Sequence, residues 1–138
     1  MKFYFAGSIR GGRENTNIYQ LLIKFLSNYG HVLTEHVGDL SLSRKGQYKL
    51  SDIYIFNQDM NWLKSSDVVI AEVTTPSLGV GYELKTAEIL KKPTIVLYSS
   101  YNKAPLSAMI SGDKYFKCFI YKDFSEAKKI LTKELKLK

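Results

Sequence analysis

Short apolar runs that alternate with amphipathic stretches are the feature that most constrains the fold of this 138-residue chain. Between most of these runs, and after the last, apolar side chains recur at helical spacing. Strands that alternate with helices pair in parallel and are joined by right-handed crossovers. The pattern therefore predicts an α/β fold with a single domain over residues 1–138 and a doubly wound, five-stranded parallel sheet of Rossmann or flavodoxin-like order. The five runs are Lys2–Ala6, His31–Thr34, Asp67–Ala71, Thr94–Tyr98 and Cys118–Tyr121.

Four helices are predicted from helical spacing and from residues that favour helix ends. The first has Asn17 as its N-cap and Gly30 as its C-terminal stop. The second is expected from about Asp52 to Lys64 and the third from Gly79 to Lys91, before Pro93. The last begins with Asp123-x-x-Glu126, which has the pattern of a capping box.

Two further expectations concern the core and the longest connection. An apolar stripe of the second helix is expected to face inward, and Cys118 is expected to be an inert core residue. Residues 99–117 form a long connection with a helical turn at Leu106–Ile110, and long connections in compact domains are often functional. The stripe of the second helix consists of Ile53, Phe56, Met60 and Leu63.

Composition excludes several classes of protein. Hydrophobic residues make up 45% of the chain and charged residues 24%, which is typical of a globular domain. No apolar run approaches the roughly 18 residues of a membrane span, and one cysteine without a secretion signal favours the cytoplasm, with the nucleus as the alternative. The net charge of +7 arises in residues 85–138, where lysines at outward helical positions favour a solvated surface over nucleic-acid binding.

The segment Pro76–Glu83 carries the strongest functional signal. It joins the third apolar run to a helical pattern, and such a turn leaves backbone N–H groups free to bind an anion. Glu83 lies one helical turn past Gly79, a rise of roughly 6 Å. That is about the span from the phosphate to the anomeric carbon of a nucleoside 5′-monophosphate. An anion site and a carboxylate at this separation indicate an enzyme that acts on a sugar phosphate.

A second glycine-rich loop, Gly7–Arg13, follows the first apolar run. Its glycines allow close approach of an anion, and its arginines can bind phosphate through two hydrogen bonds. The spacing matches neither a Walker A loop nor a dinucleotide-binding fingerprint. Because the first and third strands are expected to be neighbours, this loop and Pro76–Glu83 are predicted to meet at the carboxyl edge of the sheet.

Two carboxylates and a tyrosine are the candidate catalytic groups. Cleavage of a glycosidic bond uses one carboxylate at the anomeric carbon and another that donates a proton to the leaving group. Glu83 and Asp59 can supply this pair, although Asp59 can equally be an ion-pair partner of Arg10. Tyr4, on the first strand, can hold the carboxylate of Glu83. His36 either contacts the ligand or has a structural role, and no set of residues suggests a metal site.

Five blocks of sequence occur together in an order that resembles a known family. The chain resembles the 2′-deoxynucleoside 5′-monophosphate N-glycosidases (Rcl-type enzymes) of the nucleoside 2-deoxyribosyltransferase superfamily over residues 2–125. The first and fourth blocks are the most specific. The blocks are Tyr4–Arg13, Thr34–Val37, Asp67–Thr74, Pro76–Glu83 and Leu106–Ile110.

The resemblance implies a role for each matching residue. Glu83 matches the nucleophile, Tyr4 the residue that orients it, and Asp59 the carboxylate that assists departure of the base. Ser107 matches a serine that reaches the phosphate in the neighbouring subunit of a homodimer, and Met109 lies near that same site. The remaining substrate-binding positions are Gly7, Ser8, Ile9, Arg10, Gly11, Gly12, His36, Ser77 and Gly79.

The expected activity is hydrolysis of the N-glycosidic bond of (2′-deoxy)nucleoside 5′-monophosphates through a covalent glycosyl-Glu83 intermediate. Three alternatives remain open: transfer of deoxyribose between bases, a ribonucleotide hydrolase of the CMP type, and a nucleotide-binding module without catalysis. No cofactor or metal is implied. The preferred base stays open, because residues 38–56 differ most from the family.

Overall fold

A computed structural model describes residues 1–138 as five strands and five helices. The sheet is entirely parallel, and its strand order β2-β1-β3-β4-β5 confirms the flavodoxin-like prediction. A 3₁₀ turn spans Glu35–Gly38. In chain order the elements are β1 (Lys2–Ala6), α1 (Thr16–Leu26), β2 (His31–Val32), α2 (Asp52–Ser65), β3 (Val68–Glu72), α3 (Leu78–Ile89), β4 (Thr94–Ser99), α4 (Ala108–Ser111), β5 (Lys117–Tyr121) and α5 (Phe124–Glu134).

Two hydrophobic layers cover the two faces of the sheet. Phe3 and Phe5 of β1 point toward α1 and α5, whereas Tyr4 and Ala6 point toward α2 and α3. This alternation follows from the two-residue period of a strand. It places Tyr4 on the same side of the sheet as the two helices that carry the predicted catalytic carboxylates. None of the helices has the length and apolar composition that crossing a bilayer requires.

The ends of α1 and β2 differ from the prediction. Asn15, not Asn17, precedes α1, and its side chain caps nothing; its amide instead donates to the Thr75 hydroxyl at 2.9 Å. The helix ends at Leu26, well before Gly30. Strand β2 ends at Val32, because the hydroxyl of Thr34 takes over pairing with β1 through hydrogen bonds to the N–H and C=O of Phe5.

The predicted apolar stripe of α2 is mostly uncovered. Leu63 is fully buried, but Ile53 is 75% exposed and Phe56 48% exposed. The expectation was therefore wrong for the first half of this helix, where Phe56 meets only the edge of the half-exposed Tyr82 ring, at 6.0 Å between centroids. Cys118 is also exposed. It lies on the edge strand β5, where the face shared with Ile120 is left open.

Polar side chains begin the other helices. Ser77 accepts the N–H of Val80 at 3.3 Å and so begins α3 one residue before the expected start. Asp123 accepts the N–H of Glu126 at 2.9 Å, as a capping box requires. The Glu126 carboxylate, however, accepts the N–H of Lys122 rather than that of Asp123.

Candidate active site

A cavity of about 440 Å³ opens at the carboxyl ends of β1 and β3. Its floor is the loop after β1, from Gly7 to Gly11, and its wall is the start of α3, from Ser77 to Val80. The two loops meet as predicted: a Cβ atom on Gly11 would lie 2.6 Å from the carbonyl oxygen of Pro76. Only glycine therefore allows this close approach of the two loops.

Glu83 faces this cavity from α3 and is held by the first strand. The hydroxyl of Tyr4 donates to its Oε1 at 2.8 Å, as the sequence predicts. Burial raises the pKa of the Glu83 carboxyl to about 8; the Tyr4 bond lowers this pKa, and the charge of Asp59 raises it. Burial, followed by the charges of Glu83 and Asp59, raises the pKa of Tyr4 well above its usual value. Tyr4 therefore stays a neutral donor that fixes the Glu83 rotamer.

Asp59 lines the same cavity from α2. Its Oδ1 is buried and has no hydrogen-bond partner, and burial raises the pKa of this carboxyl to about 6. Arg10 pairs instead with Asp52 at 2.9 Å on the surface, so the ion-pair alternative for Asp59 is wrong. A buried polar atom without a partner is unfavourable in an unliganded fold. Asp59 is thus available to a group that enters the cavity.

The start of α3 presents an anion site. The backbone N–H groups of Leu78 and Gly79 have no partner within the chain, because Ser77 caps the next residue, Val80. A Cβ atom on Gly79 would have only the Ser77 hydroxyl near it, at 3.8 Å, so the space before this turn is open. Free N–H groups and the helix dipole together favour a bound phosphate. Arg10 lies at the opposite side of the same cavity.

Other residues of the glycine-rich loop act within the protein. The Ser8 N–H donates to the Tyr19 hydroxyl at 3.1 Å, and its own hydroxyl is buried without a partner and does not line the cavity. Gly12 has φ +140° in a turn that returns its N–H to Ile9. The guanidinium of Arg13 donates to three backbone carbonyls, which belong to Ser8, Asp39 and Leu42.

His36 reaches the cavity beside residues that sequence reasoning missed. Its ring lies 5.8 Å from that of Trp62, and burial, followed by the charge of Arg13, lowers its pKa, so the imidazole is neutral at pH 7. Gly46 and Gln47 complete this end of the cavity. Only the turn-forming glycine, with φ +61°, could have marked this segment in the sequence.

Ser107 and Met109 do not reach the cavity of Glu83 within one chain. They line a second cavity of about 720 Å³, which lies beyond the wall formed by Ser77 and Leu78. Met109 is 82% exposed and Leu78 is 97% exposed. The wall between the two cavities is therefore an uncovered apolar ridge.

Residues 3–128 match the family model described as nucleoside 2-deoxyribosyltransferase. The chain belongs to this family. It is similar to a 5-hydroxymethyl-dUMP N-hydrolase of Danio rerio, with 49% identity over 126 residues that cover 91% of this chain and 88% of the relative. A Nematostella vectensis protein with the provisional name 2′-deoxynucleoside 5′-phosphate N-hydrolase 1 is 51% identical over 126 residues, 91% of this chain and 86% of that one.

A solved structure of the CMP N-glycosidase of Clostridium botulinum has the same fold. It superposes with a TM-score of 0.69 at 20% identity and covers 95% of this chain and 98% of its own. At 20% identity, this similarity shows a shared fold only. The family model and the relatives confirm the family predicted from the five sequence blocks.

Proposed function

We propose that this family member hydrolyses the N-glycosidic bond of 2′-deoxynucleoside 5′-monophosphates and releases a free base and deoxyribose 5-phosphate. The observation that carries the proposal is the placement of Glu83. Its carboxyl group is held by Tyr4 and lies one turn beyond the free N–H groups that begin α3. A phosphate at that helix end places the anomeric carbon of a bound nucleotide near Glu83.

The reaction proceeds in two steps at the anomeric carbon. Glu83 attacks this carbon and forms a glycosyl ester while Asp59 gives a proton to the departing base. Asp59 then takes a proton from water, whose oxygen attacks the anomeric carbon and frees Glu83. Two such displacements retain configuration, as in retaining glycosidases. At pH 7 Asp59 is ionised and Glu83 is protonated, so the pair holds one proton. The first step also requires one proton on the pair, carried by Asp59.

The names of the relatives suggest the substrate to test first. The Danio rerio protein is named for 5-hydroxymethyl-dUMP, and the identity between the two chains extends over the whole domain. We therefore propose a deoxyribonucleotide with a pyrimidine base as the preferred substrate. A CMP-type ribonucleotide hydrolase shares the fold and is the second candidate.

The decisive experiment measures free base after incubation with each ribo- and deoxyribonucleoside monophosphate. Deoxyribonucleotides should release base and sugar phosphate in equal amounts. Preference for CMP would favour the second candidate. Addition of a different free base tests the transferase alternative, in which a new nucleotide or nucleoside accumulates in place of the sugar phosphate. Absence of any product would leave only a binding module.

We further propose that the active unit is a homodimer in which the partner subunit's Ser107 and the partner subunit's Met109 complete the phosphate site. The support is the position of these residues next to the wall at Ser77 and Leu78. Exposed apolar side chains surround the same region, and contiguous apolar surface of this kind favours protein contact. They are Phe56, Leu78, Tyr82 and Met109.

A further inference from the structure

A buried carboxyl group that the proposed reaction does not use lies at the carboxyl end of β3. Glu72 is fully buried, and it points to the face of the sheet that α1 and α5 cover, like Val68 and Ile70 on the same strand. It is therefore separated by the sheet from the carboxyl groups of Glu83 and Asp59. A buried acid without a charged partner is costly, so it calls for an explanation.

The contacts of Glu72 join two strands to the loop that precedes α3. Its Oε1 accepts hydrogen bonds from the hydroxyl of Thr74 and, at 3.1 Å, from the hydroxyl of Tyr121 on β5. The Thr74 hydroxyl also accepts the N–H of Ser99 at 2.9 Å, at the end of β4. The Thr74 carbonyl accepts the side-chain amide of Asn102 at 2.9 Å.

Thr74 begins the segment that ends at the phosphate site. We call residues 74–77 the cradle segment. Its middle is held by Asn15, which donates to the Thr75 hydroxyl at 2.9 Å, and by Gly11, which packs against the Pro76 carbonyl. Its end is Ser77, the cap of α3. The direction of the first free N–H groups of α3 thus depends on the point at which Glu72 anchors the chain.

We infer that Glu72 is a positioning residue for phosphate binding: through Thr74 it holds the cradle segment so that the N–H groups of Leu78 and Gly79 face the phosphate. The inference rests on the proposed function for the identity of the ligand. Burial raises the pKa of Glu72 to about 7, with the hydrogen bonds from Thr74 and Tyr121 acting in the opposite direction. The residue can anchor Thr74 in either protonation state, because Oε1 accepts in both.

The test compares three variants in binding of deoxyribose 5-phosphate, measured by calorimetry. Glu72→Leu removes the acceptor, Thr74→Val removes the hydroxyl that donates to Glu72 and accepts the N–H of Ser99, and Glu72→Gln keeps an acceptor oxygen. The first two should weaken binding by about tenfold, since they release the anchor, and Glu72→Gln should restore most of the affinity. Leu131→Ala is the matched control, because it truncates a fully buried side chain of α5 in the same layer.

The control should lower the unfolding temperature without changing the affinity for deoxyribose 5-phosphate. Wild-type affinity in folded Glu72→Leu and Thr74→Val would overturn the inference, and so would an equal loss of affinity in Leu131→Ala. If Glu72→Leu does not fold, Glu72→Met, which removes the carboxyl acceptor and keeps the length of the side chain, is measured in its place and compared with Glu72→Gln. Because the titration needs no turnover, a wild-type protein that binds the sugar phosphate but releases no base would contradict the proposed function and leave this inference standing.

Discussion

At the scale of single residues, the proposed chemistry depends on a pair of carboxyl groups whose pKa values burial raises toward neutral pH. Glu83, with a pKa of about 8, and Asp59, with a pKa of about 6, line the same cavity, and the charge of Asp59 adds to burial in disfavouring ionisation of Glu83. A bound sugar that develops positive charge favours the Glu83 anion and leaves the proton for Asp59. The burial that raises both pKa values therefore keeps a proton on the pair at neutral pH.

Substitution of the nucleophile should abolish turnover. Glu83→Gln keeps the size of the side chain and the bond from Tyr4, but its amide cannot form the glycosyl ester. We expect the rate of base release to fall by several orders of magnitude, as is usual when a covalent nucleophile is removed. The unfolding temperature, measured in parallel, should not fall. Near-normal turnover in the folded variant would contradict the mechanism.

The dependence of kcat/KM on pH should be bell-shaped with limbs near 6 and 8. Below about pH 6 both carboxyls are protonated and Glu83 cannot attack, so activity falls as pH falls. Above about pH 8 both are ionised and no proton reaches the base, so activity falls as pH rises. Initial rates at low substrate concentration across this range measure both limbs.

The phosphate of the substrate also titrates near about pH 6 and can contribute to the acid limb. Asp59→Asn distinguishes the ionisation of the enzyme from that of the substrate. The variant should be slower at every pH and should lose the alkaline limb, because its amide has no proton to give up. An alkaline limb that survives in Asp59→Asn, or wild-type activity that rises steadily through pH 9, would exclude Asp59 as the acid.

At the scale of elements, the start of α3 determines what kind of substrate fits. Ser77 directs its cap to Val80 and leaves the two preceding N–H groups free, while Arg10 supplies a positive charge across the cavity. The loop after β1 supplies the other wall, because Gly11 permits contact with Pro76. The parallel pairing of β1 with β3 brings the two loops together.

A 5′-phosphate should be required for efficient hydrolysis. Each charge-assisted hydrogen bond to phosphate contributes about 1.5–3 kcal/mol, so its loss costs roughly 10- to 150-fold. Deoxynucleosides should therefore react far more slowly than their monophosphates when kcat/KM is compared for one base. Arg10→Ala should lower kcat/KM for the monophosphate and leave kcat/KM for the deoxynucleoside unchanged, so the ratio of the two values should fall. Equal rates for the two substrates would favour the transferase alternative.

At the scale of the whole molecule, one chain leaves a large apolar surface open around its own site. The first half of α2 carries exposed apolar side chains, and the ridge at Leu78 lies between two cavities, which a second copy bridges in the proposed dimer. Ser107 begins the short helix α4 and lies on the outer side of that ridge. A second copy would cover these side chains and bring its own α4 toward the first site.

Mixed dimers provide a direct test of a shared site. Glu83→Ala and Ser107→Ala should each be impaired alone, the first through loss of the nucleophile and the second through weaker phosphate binding. After subunit exchange, the Ser107→Ala subunit keeps its Glu83 and receives wild-type Ser107 from its partner, so part of the activity should return. Recovery is measured at saturating and at low nucleotide concentration.

Two controls make this result decisive. Exchange is followed independently with differently tagged subunits. A mixture of Glu83→Ala with Tyr4→Phe is the second control. Each of these substitutions impairs the site of its own subunit, so their mixed dimer should recover no activity. Failure to recover activity despite demonstrated exchange, or an active protein that is monomeric by light scattering, would defeat the shared-site proposal.

The sequence alone determined the order of strands and helices, the loops at the carboxyl edge of β1 and β3, and the partnership of Tyr4 with Glu83. These depend on local periodicity, on turn-forming residues and on the parallel pairing that short crossovers impose. The resemblance to the family added the expected role of Ser107 in a neighbouring subunit, which spacing could not provide.

Only the tertiary structure decided which faces are covered and which polar groups are paired. The period of α2 marks an apolar side, but it cannot tell whether another element packs there, and in this chain Ile53 and Phe56 remain exposed. Arg10 pairs with Asp52 rather than Asp59, and Glu72 finds Tyr121, because distances between elements depend on the packing of the whole sheet. Tyr4 and Glu83 could be paired in advance because the neighbouring strands β1 and β3 bring their loops together, whereas these other pairs follow from no local periodicity or strand order and required the fold.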